Sequence, residues 1–313
     1  MHRREFRAMG SRILVMLDRP DKPSAIGAVA AWYEAWEQVL SRFRMDSELT
    51  RLNSASGTPR VVSDTLWDVY TVALEAEQIT EGLVNPLILN ALVHAGYDRS
   101  FDELTAARLP GMFFAGFSDA PVSDATIEAV PALSTLMVGD QTRTLCVPEG
   151  AGLDLGGVAK GWAAHQAMLR LLPNGPALVS AGGDIAVSGP MANGEPWPIG
   201  VEDPFHSDAY LETIYLEGGG VATSGKDHRH WIRGGAARHH VIDPRTGLSA
   251  QTDVLTATVI APTVMHAEAL AKAVLISGSQ AGMSWLDADE RIEGLLVLDS
   301  GELLYSRDFE DYL

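Results

Sequence analysis

The residues best suited to chemistry in this chain sit in short glycine-bearing clusters. Leu153-Asp154-Leu155-Gly156-Gly157-Val158-Ala159-Lys160-Gly161 sets three glycines, an acid and a lysine before a helix-like run from Trp162 to Leu172. Glycine admits close backbone approach and left-handed conformations, and a helix start presents amide groups to anions. Lys160 adds a point charge suited to a phosphate or a neighbouring carboxylate. The chemistry is anion binding, with an ordinary tight turn as the plain alternative. The spacing is neither the G-x-x-x-x-G-K-[ST] phosphate loop nor G-x-G-x-x-G.

Three further clusters extend the theme. Ser180-Ala181-Gly182-Gly183-Asp184-Ile185 reads as a strand ending in two glycines and an acid. Val221-Ala222-Thr223-Ser224-Gly225-Lys226-Asp227 offers two hydroxyls on a glycine turn. His239-His240-Val241-Ile242-Asp243-Pro244-Arg245-Thr246-Gly247 places a histidine pair beside an Asp-Pro turn that carries an arginine. Each is also good turn sequence, and paired histidines are often half-exposed strand residues.

The elements that must position these clusters alternate irregularly between helix and strand patterns. Ile26, Val29, Tyr33, Trp36, Leu40 and Phe43 recur at three- and four-residue steps, an amphipathic helix. Ser63 caps a second helix with Leu66, Val69, Ala73 and Ala76 on one face. Ser11 to Leu17 reads as the first strand, and Ala177 to Ser188 and Val254 to Ile260 as buried strands. Residues 134–148, with Gly139-Asp140 as the turn, and 295–305 read as hairpins. The stretch Asp102 to Ser123, rich in Ala, Pro and Gly, reads as a loop or insertion. The pattern predicts an α+β protein with mixed sheets and packed helices, not a doubly wound one.

At 313 residues, 46% hydrophobic and 20% charged, the chain is a globular protein with room for one large domain or two lobes. A net charge of −18 argues against nucleic acid or an anionic membrane as partner, though not against a phosphorylated small ligand at a locally basic site. The single cysteine, Cys146, precludes an internal disulfide and a cysteine metal cage, and its strand-like setting predicts a buried thiol. There is no membrane-spanning run and no signal-peptide core, so the expected location is cytoplasmic, or extracytoplasmic if a leader has been removed.

Taken in order, the clusters resemble the FAD:protein FMN transferase family, often called ApbE. The resemblance runs through Phe6-Arg7-Ala8-Met9-Gly10-Ser11, the Arg42–Asn53 segment, Gly82-Leu83-Val84-Asn85-Pro86, Gly96-Tyr97-Asp98 and the lysine loop. It continues through Ala181-Gly182-Gly183-Asp184, Trp197 to Pro204, Ala222-Thr223-Ser224-Gly225, His240 to Gly247, and Val259 to Gly278. It implies one ApbE-like α+β domain over residues 1–313, with two lobes around a central ligand cleft. It also implies Mg2+-assisted transfer of the FMN half of FAD to a threonine or serine of an acceptor protein, releasing AMP. FAD cleavage to FMN and AMP is the alternative outcome, and a catalytically weakened FAD-binding protein a third.

The roles the resemblance implies combine with the chemistry of the residues. Lys160, Arg245 and the amides of Gly156 and Gly157 would neutralise the diphosphate, with Gly182, Gly183 and Asp184 nearby. Thr223 and Ser224 would donate hydrogen bonds to phosphate or flavin, His240 would accept the proton of the attacking hydroxyl, and Asp243 would orient that histidine or bind the ligand. Met9 and the Asn85 and Tyr97 segments would pack against the rings of FAD. The family places an aspartate and, four residues later, a threonine on one helical face, which hold magnesium together with a main-chain carbonyl matched here by Ala159. The corresponding residues here are Glu268 and Lys272. Glutamate can still ligate magnesium, but lysine has only donors and a positive charge. Two readings follow: an i,i+4 ion pair on a helix surface, or an ammonium that takes over part of the cation's role.

Overall fold

Alternating apolar residues assemble an eight-stranded sheet, and helices rich in small residues lie on one of its faces. The structure, a computed structural model, describes residues 1–19, 21, 23–106, 129–206 and 208–313. The chain divides into two compact units, each drawn from separate stretches of sequence: Met1–Glu37, Gly156–Gly225 and Thr252–Leu313 form the first, Gln38–Leu155 and Lys226–Gln251 the second.

In the first unit the strands run in the order His2–Ala8, Ser11–Leu17, Ala177–Ala181, Asp184–Val187, Gly219–Gly225, Val254–Ala261, Glu293–Leu298 and Leu303–Tyr305. The expected α+β class holds, and each of these neighbouring pairs is antiparallel. Period-two alternation gives the sheet two faces. On one, Leu178, Val187, Val221, Ile260 and Leu295 pack with Trp197, Ile199, Ile214 and Leu216 of the hairpin Trp197–Glu202/Tyr210–Leu216. On the other, Ala222 and Ala261 meet Ala267 of the helix Val264–Ser277.

That helix starts on Thr263, whose Oγ1 accepts from the His266 amide at 3.2 Å, and it is buried along most of its length. The helix Ala159–Leu171 beside it buries Gly161, Trp162, Ala163, Ala164 and Ala167. Trp162 meets Trp36 edge-on at 5.2 Å, and Trp36 meets Tyr33 at the same spacing. Such T-shaped contacts fix ring orientation as well as burying area.

The second unit holds the helices Glu48–Ser54, Asp64–Ile79, Leu89–Ala95 and Phe101–Ala106, a small sheet of Arg60–Val61, Thr144–Cys146 and Met137–Gly139, and two short hairpins. Ser63 caps its helix as expected, accepting from the Leu66 amide at 3.3 Å, and Leu66, Val69, Ala73 and Ala76 are all buried. Arg42 lies over the Phe43 and Tyr97 rings, 4.1 and 4.6 Å from their centroids, and its Nε is 2.5 Å from Asp154 Oδ2.

Several boundaries differ from the sequence reading. A strand, His2–Ala8, precedes Ser11–Leu17, joined to it by a turn at Met9 and Gly10 with φ of 52° and 63°. Its charged alternation conceals it, because neither face is fully buried. Ala177–Ser188 is a hairpin, with Gly182 and Gly183 as the left-handed turn. Asp184 therefore opens a strand instead of ending one. The expected long helix is a 3-10 turn, Pro23–Ala28, followed by Val29–Leu40, which leaves Phe43 beyond it. Of the Asp102–Ser123 stretch, residues 102–106 belong to a helix and the remainder lies outside the described residues.

Candidate active site

The opening motif is divided between the units. Leu153 is clamped by the Asn53 side chain, which donates to its carbonyl at 2.9 Å and accepts from its amide at 2.8 Å, and Asp154 holds Arg42. From Gly156 onward the motif belongs to the first unit. Neither Gly156 nor Gly157 has positive φ, so the left-handed backbone expected of them is absent.

Gly161 explains its own presence by close approach. Its amide donates to Glu268 Oε2 at 2.9 Å, and a Cβ there would lie 2.7 Å from that oxygen. Val158, at the N-cap of this helix, provides no side-chain cap. Glu268 serves instead, placing a carboxylate against first-turn amides that need an acceptor and favour negative charge. The anion site read from the sequence therefore already receives an anion from the protein itself.

Around Glu268 the structure gathers three further charged side chains: Lys160 from the adjoining helix, Asp184 from the strand Asp184–Val187, and Lys272 from one turn along its own helix. Lys160 Nζ is 3.0 Å from Glu268 Oε1 and also pairs with Asp184. Lys272 Nζ is 3.1 Å from the same Oε1 and donates to the Glu268 main-chain oxygen at 3.2 Å. The Glu268 side chain is 0% exposed, whereas the Lys160 and Lys272 side chains keep 18% and 19% exposure. Burial pushes Asp184 up to about 6 against the pull of Lys160, with Glu268 adding to the rise. Burial also opposes the charge of Glu268, but Lys160 and Lys272 outweigh it and hold that carboxyl below its usual range. Burial lowers Lys272, and Glu268 counteracts it.

This cluster is where the metal expectation is tested. Magnesium requires near-octahedral oxygen ligation at short distances. Here Oε1 of Glu268 accepts from two ammoniums and Oε2 from an amide, while Lys272 contributes only donors. Ala159 opens the helix, so its carbonyl accepts from the amide four residues on. Among the described residues, no group of three His, Cys, Asp or Glu is placed to hold a metal. The residues present do not fit the ion.

The remaining expected residues distribute as follows. Thr223 and Ser224 are neighbours on one strand and so face opposite sides of the sheet. Thr223 is exposed and shares a hydroxyl contact with Thr258 at 2.9 Å, whereas Ser224 is buried on the face of Ala222. Met9 sits in the first hairpin turn, its amide donating to Glu37 Oε2 at 3.0 Å.

In the second unit, Asn85 caps the turn Pro86–Ile88, accepting from the Leu87 amide and donating to the Pro131 carbonyl, both at 2.9 Å. Tyr97 is buried among Arg42, Phe43 and Trp231. Both are structural in their immediate contacts. Asp243 is engaged by Arg245. Its carboxylate accepts from the backbone amide, Nε and Nη2 of Arg245 at 2.8–3.2 Å, leaving the arginine 61% exposed. The histidine pair separates by environment. His239 is buried, with Nε2 at 3.1 Å from the Ala250 carbonyl, and burial lowers its pKa; His240 is half-buried.

Tyr33 was read only as part of an apolar face. Its hydroxyl is buried without a hydrogen-bond partner among the described residues, and burial, reinforced by the Asp184 charge, raises its pKa. No spacing in the sequence signals that proximity.

The sequence pattern of the ApbE family matches residues 9–296. The FAD:protein FMN transferase of Salmonella typhimurium is 28% identical over 84% of this chain and 73% of its own length. That of Treponema pallidum is 29% identical over 91% of this chain and 81% of its own. Among solved structures, the ApbE protein of Thermotoga maritima superposes with a TM-score of 0.84 at 25% identity, covering 99% of this chain and 98% of that one. The flavin transferase ApbE of Vibrio cholerae superposes at 0.75 with 24% identity, again over 99% and 98%, a likeness of fold. With its motifs matched in order and across nearly its whole length, the chain belongs to the ApbE family.

Proposed function

We propose that this protein transfers the FMN half of FAD to a hydroxyl of an acceptor protein. The observation that carries the reading is the match to a flavin-transferring family along residues 9–296, joined to two partly exposed lysines beside a glycine loop. In the reaction the acceptor oxygen attacks the FMN-side phosphorus. The bond from that phosphorus to the bridging oxygen breaks, AMP leaves with that oxygen, and the hydroxyl proton passes to a base. Such a transfer depends on positioning and on neutralising charge at the phosphate oxygens.

Lys160 and Lys272 are the proposed neutralising groups in the first unit, both fixed by Glu268 and both with partly exposed side chains. His240 is the proposed proton acceptor and Arg245 a further phosphate ligand. A threonine or serine is the proposed acceptor residue. The family's magnesium would add divalent charge at the diphosphate, but the donor set around Glu268 does not suit it, and no step here runs through it.

The test is incubation with FAD and a peptide bearing a Thr/Ser flavinylation sequence. A fluorescent peptide heavier by one FMN, with equimolar AMP, is the expected result. Free FMN and AMP with unmodified peptide would make water the nucleophile and the protein a hydrolase. Intact FAD bound without turnover would reject enzymatic activity.

A further inference from the structure

We infer that the Lys272 ammonium stands where the family resemblance puts a divalent cation, so that this chain holds no such ion there and presents a second lysine beside Lys160 in its place. The ion-pair geometry differs from that of a helix-surface pair. An i,i+4 pair on a surface leaves both partners in water and contributes little. Here the carboxylate is wholly buried and the ammonium mostly so, with Nζ on both the Glu268 carboxylate and its main-chain oxygen.

The lysine is also seated along its stem, not only at its tip. A Cβ on Gly157 would lie 3.6 Å from Lys272 Cε and 3.8 Å from Cδ, so the glycine loop passes at van der Waals distance from the side chain. Both carboxylate oxygens of Glu268 are engaged: Oε1 by two ammoniums and Oε2 by the Gly161 amide. A divalent ion entering here would have to displace two cations held by the same oxygen. Like charges at that range repel strongly in a partly buried site.

The consequence for the diphosphate rests on the function proposed above: its oxygens would be met by ammonium donors in the absence of any metal. Ion binding at Glu268 can be read directly, whatever the protein does with FAD.

Mn2+ is titrated into the wild-type chain, with and without FAD, and followed by the loss of the free-ion EPR signal. The expected result is no saturable binding into the millimolar range. The double variant Glu268→Asp/Lys272→Thr, which restores the residue types of the family pattern, is expected to gain one ion per chain. Saturable binding of one ion by the wild type that Glu268→Gln abolishes would overturn the inference. Circular dichroism checks that the variants fold; if the double variant does not, the wild-type titration decides alone. EDTA should leave the FAD affinity of the wild type unchanged, and an affinity that collapses on chelation counts against the inference. A chain that binds no Mn2+ and also leaves FAD untouched refutes the proposed function while the metal inference stands.

Discussion

Replacing Gly161 by alanine tests whether the two central helices are interlocked through Glu268. A methyl group at this position would lie 2.7 Å from Glu268 Oε2 and 3.2 Å from the Val264 carbonyl oxygen. The carboxylate cannot swing aside freely, because it is held by the Gly161 amide, Lys160 and Lys272. The Val264 carbonyl is backbone at the start of a capped, buried helix and moves less readily still. Overpacking of this kind costs about 1–3 kcal/mol. Loosening a hydrogen bond to a charged group costs about 1.5–3 kcal/mol more. Alanine's better helix propensity offsets about 1 kcal/mol. The net expectation is a loss of about 1.5–5 kcal/mol. Gly27→Ala is the control, since nothing lies within 4 Å of the added Cβ, and it should change stability by less than about 0.5 kcal/mol. Urea denaturation followed by far-UV circular dichroism measures both. Gly161→Ala matching or exceeding wild-type stability would refute the interlock, because helix propensity alone predicts a gain.

Three further outcomes are expected. Burial moves Asp184 from the ordinary 3.8 up to about 6, so the folded chain binds more protons than the unfolded chain between those values. Stability from this group is therefore full below about pH 4 and is lost as pH rises through about 6. Asp184→Asn removes that titration, and wild type should lose stability relative to the variant across the window; a difference independent of pH would contradict the burial argument. Ser63→Ala should lower stability by about 1 kcal/mol through loss of the N-cap, and Ser63→Asp should restore it, both read by urea denaturation. His240→Ala should reduce FMN transfer by about 10²–10⁴-fold while FAD still quenches on binding, whereas His239→Ala should chiefly lower the denaturation midpoint. Equal loss of transfer at unchanged stability in both variants would reject the division between the two histidines.

Where one face is buried and a cap or turn residue marks the boundary, the sequence was readable. Ser63 with its four buried partners, the 134–148 and 295–305 hairpins and the buried Cys146 all follow from local pattern. The strand His2–Ala8 was missed because its charges leave no clear apolar face. Gly182-Gly183 was read as a strand end because a two-residue turn and a terminus share the same composition. For the candidate site, local pattern supplied residue types but not partners. Asp243 looked available to His240, yet Arg245, two residues on, takes its carboxylate in a contact that the tight turn allows. Asn85 and Tyr97 lie in matched family segments, yet their polar atoms or rings are engaged in the second unit's own structure. Which hydrogen bonds a buried amide or ring makes depends on residues far along the chain, and no spacing rule reaches them.

Glu268 shows why the two departures from the family pattern belong together. A glutamate is one methylene longer than an aspartate, and here its Oε2 reaches the Gly161 amide on the adjoining helix while Oε1 is left for cations. Glycine at 161 is what permits that reach, since any larger residue would sit on the same oxygen. Once the carboxylate faces the Ala159–Leu171 helix in this way, it is buried at 0% exposure and needs positive charge beside it. Lys160 also serves Asp184, so it does not balance two carboxylates alone. Lys272 completes the neutralisation from one helical turn away, with its stem against the glycine loop. Threonine at 272 with glutamate at 268 would leave two buried carboxylates sharing one lysine. The lysine is therefore tied to helix packing, and the residues that hold the two helices together are the same ones that balance the buried charge between them.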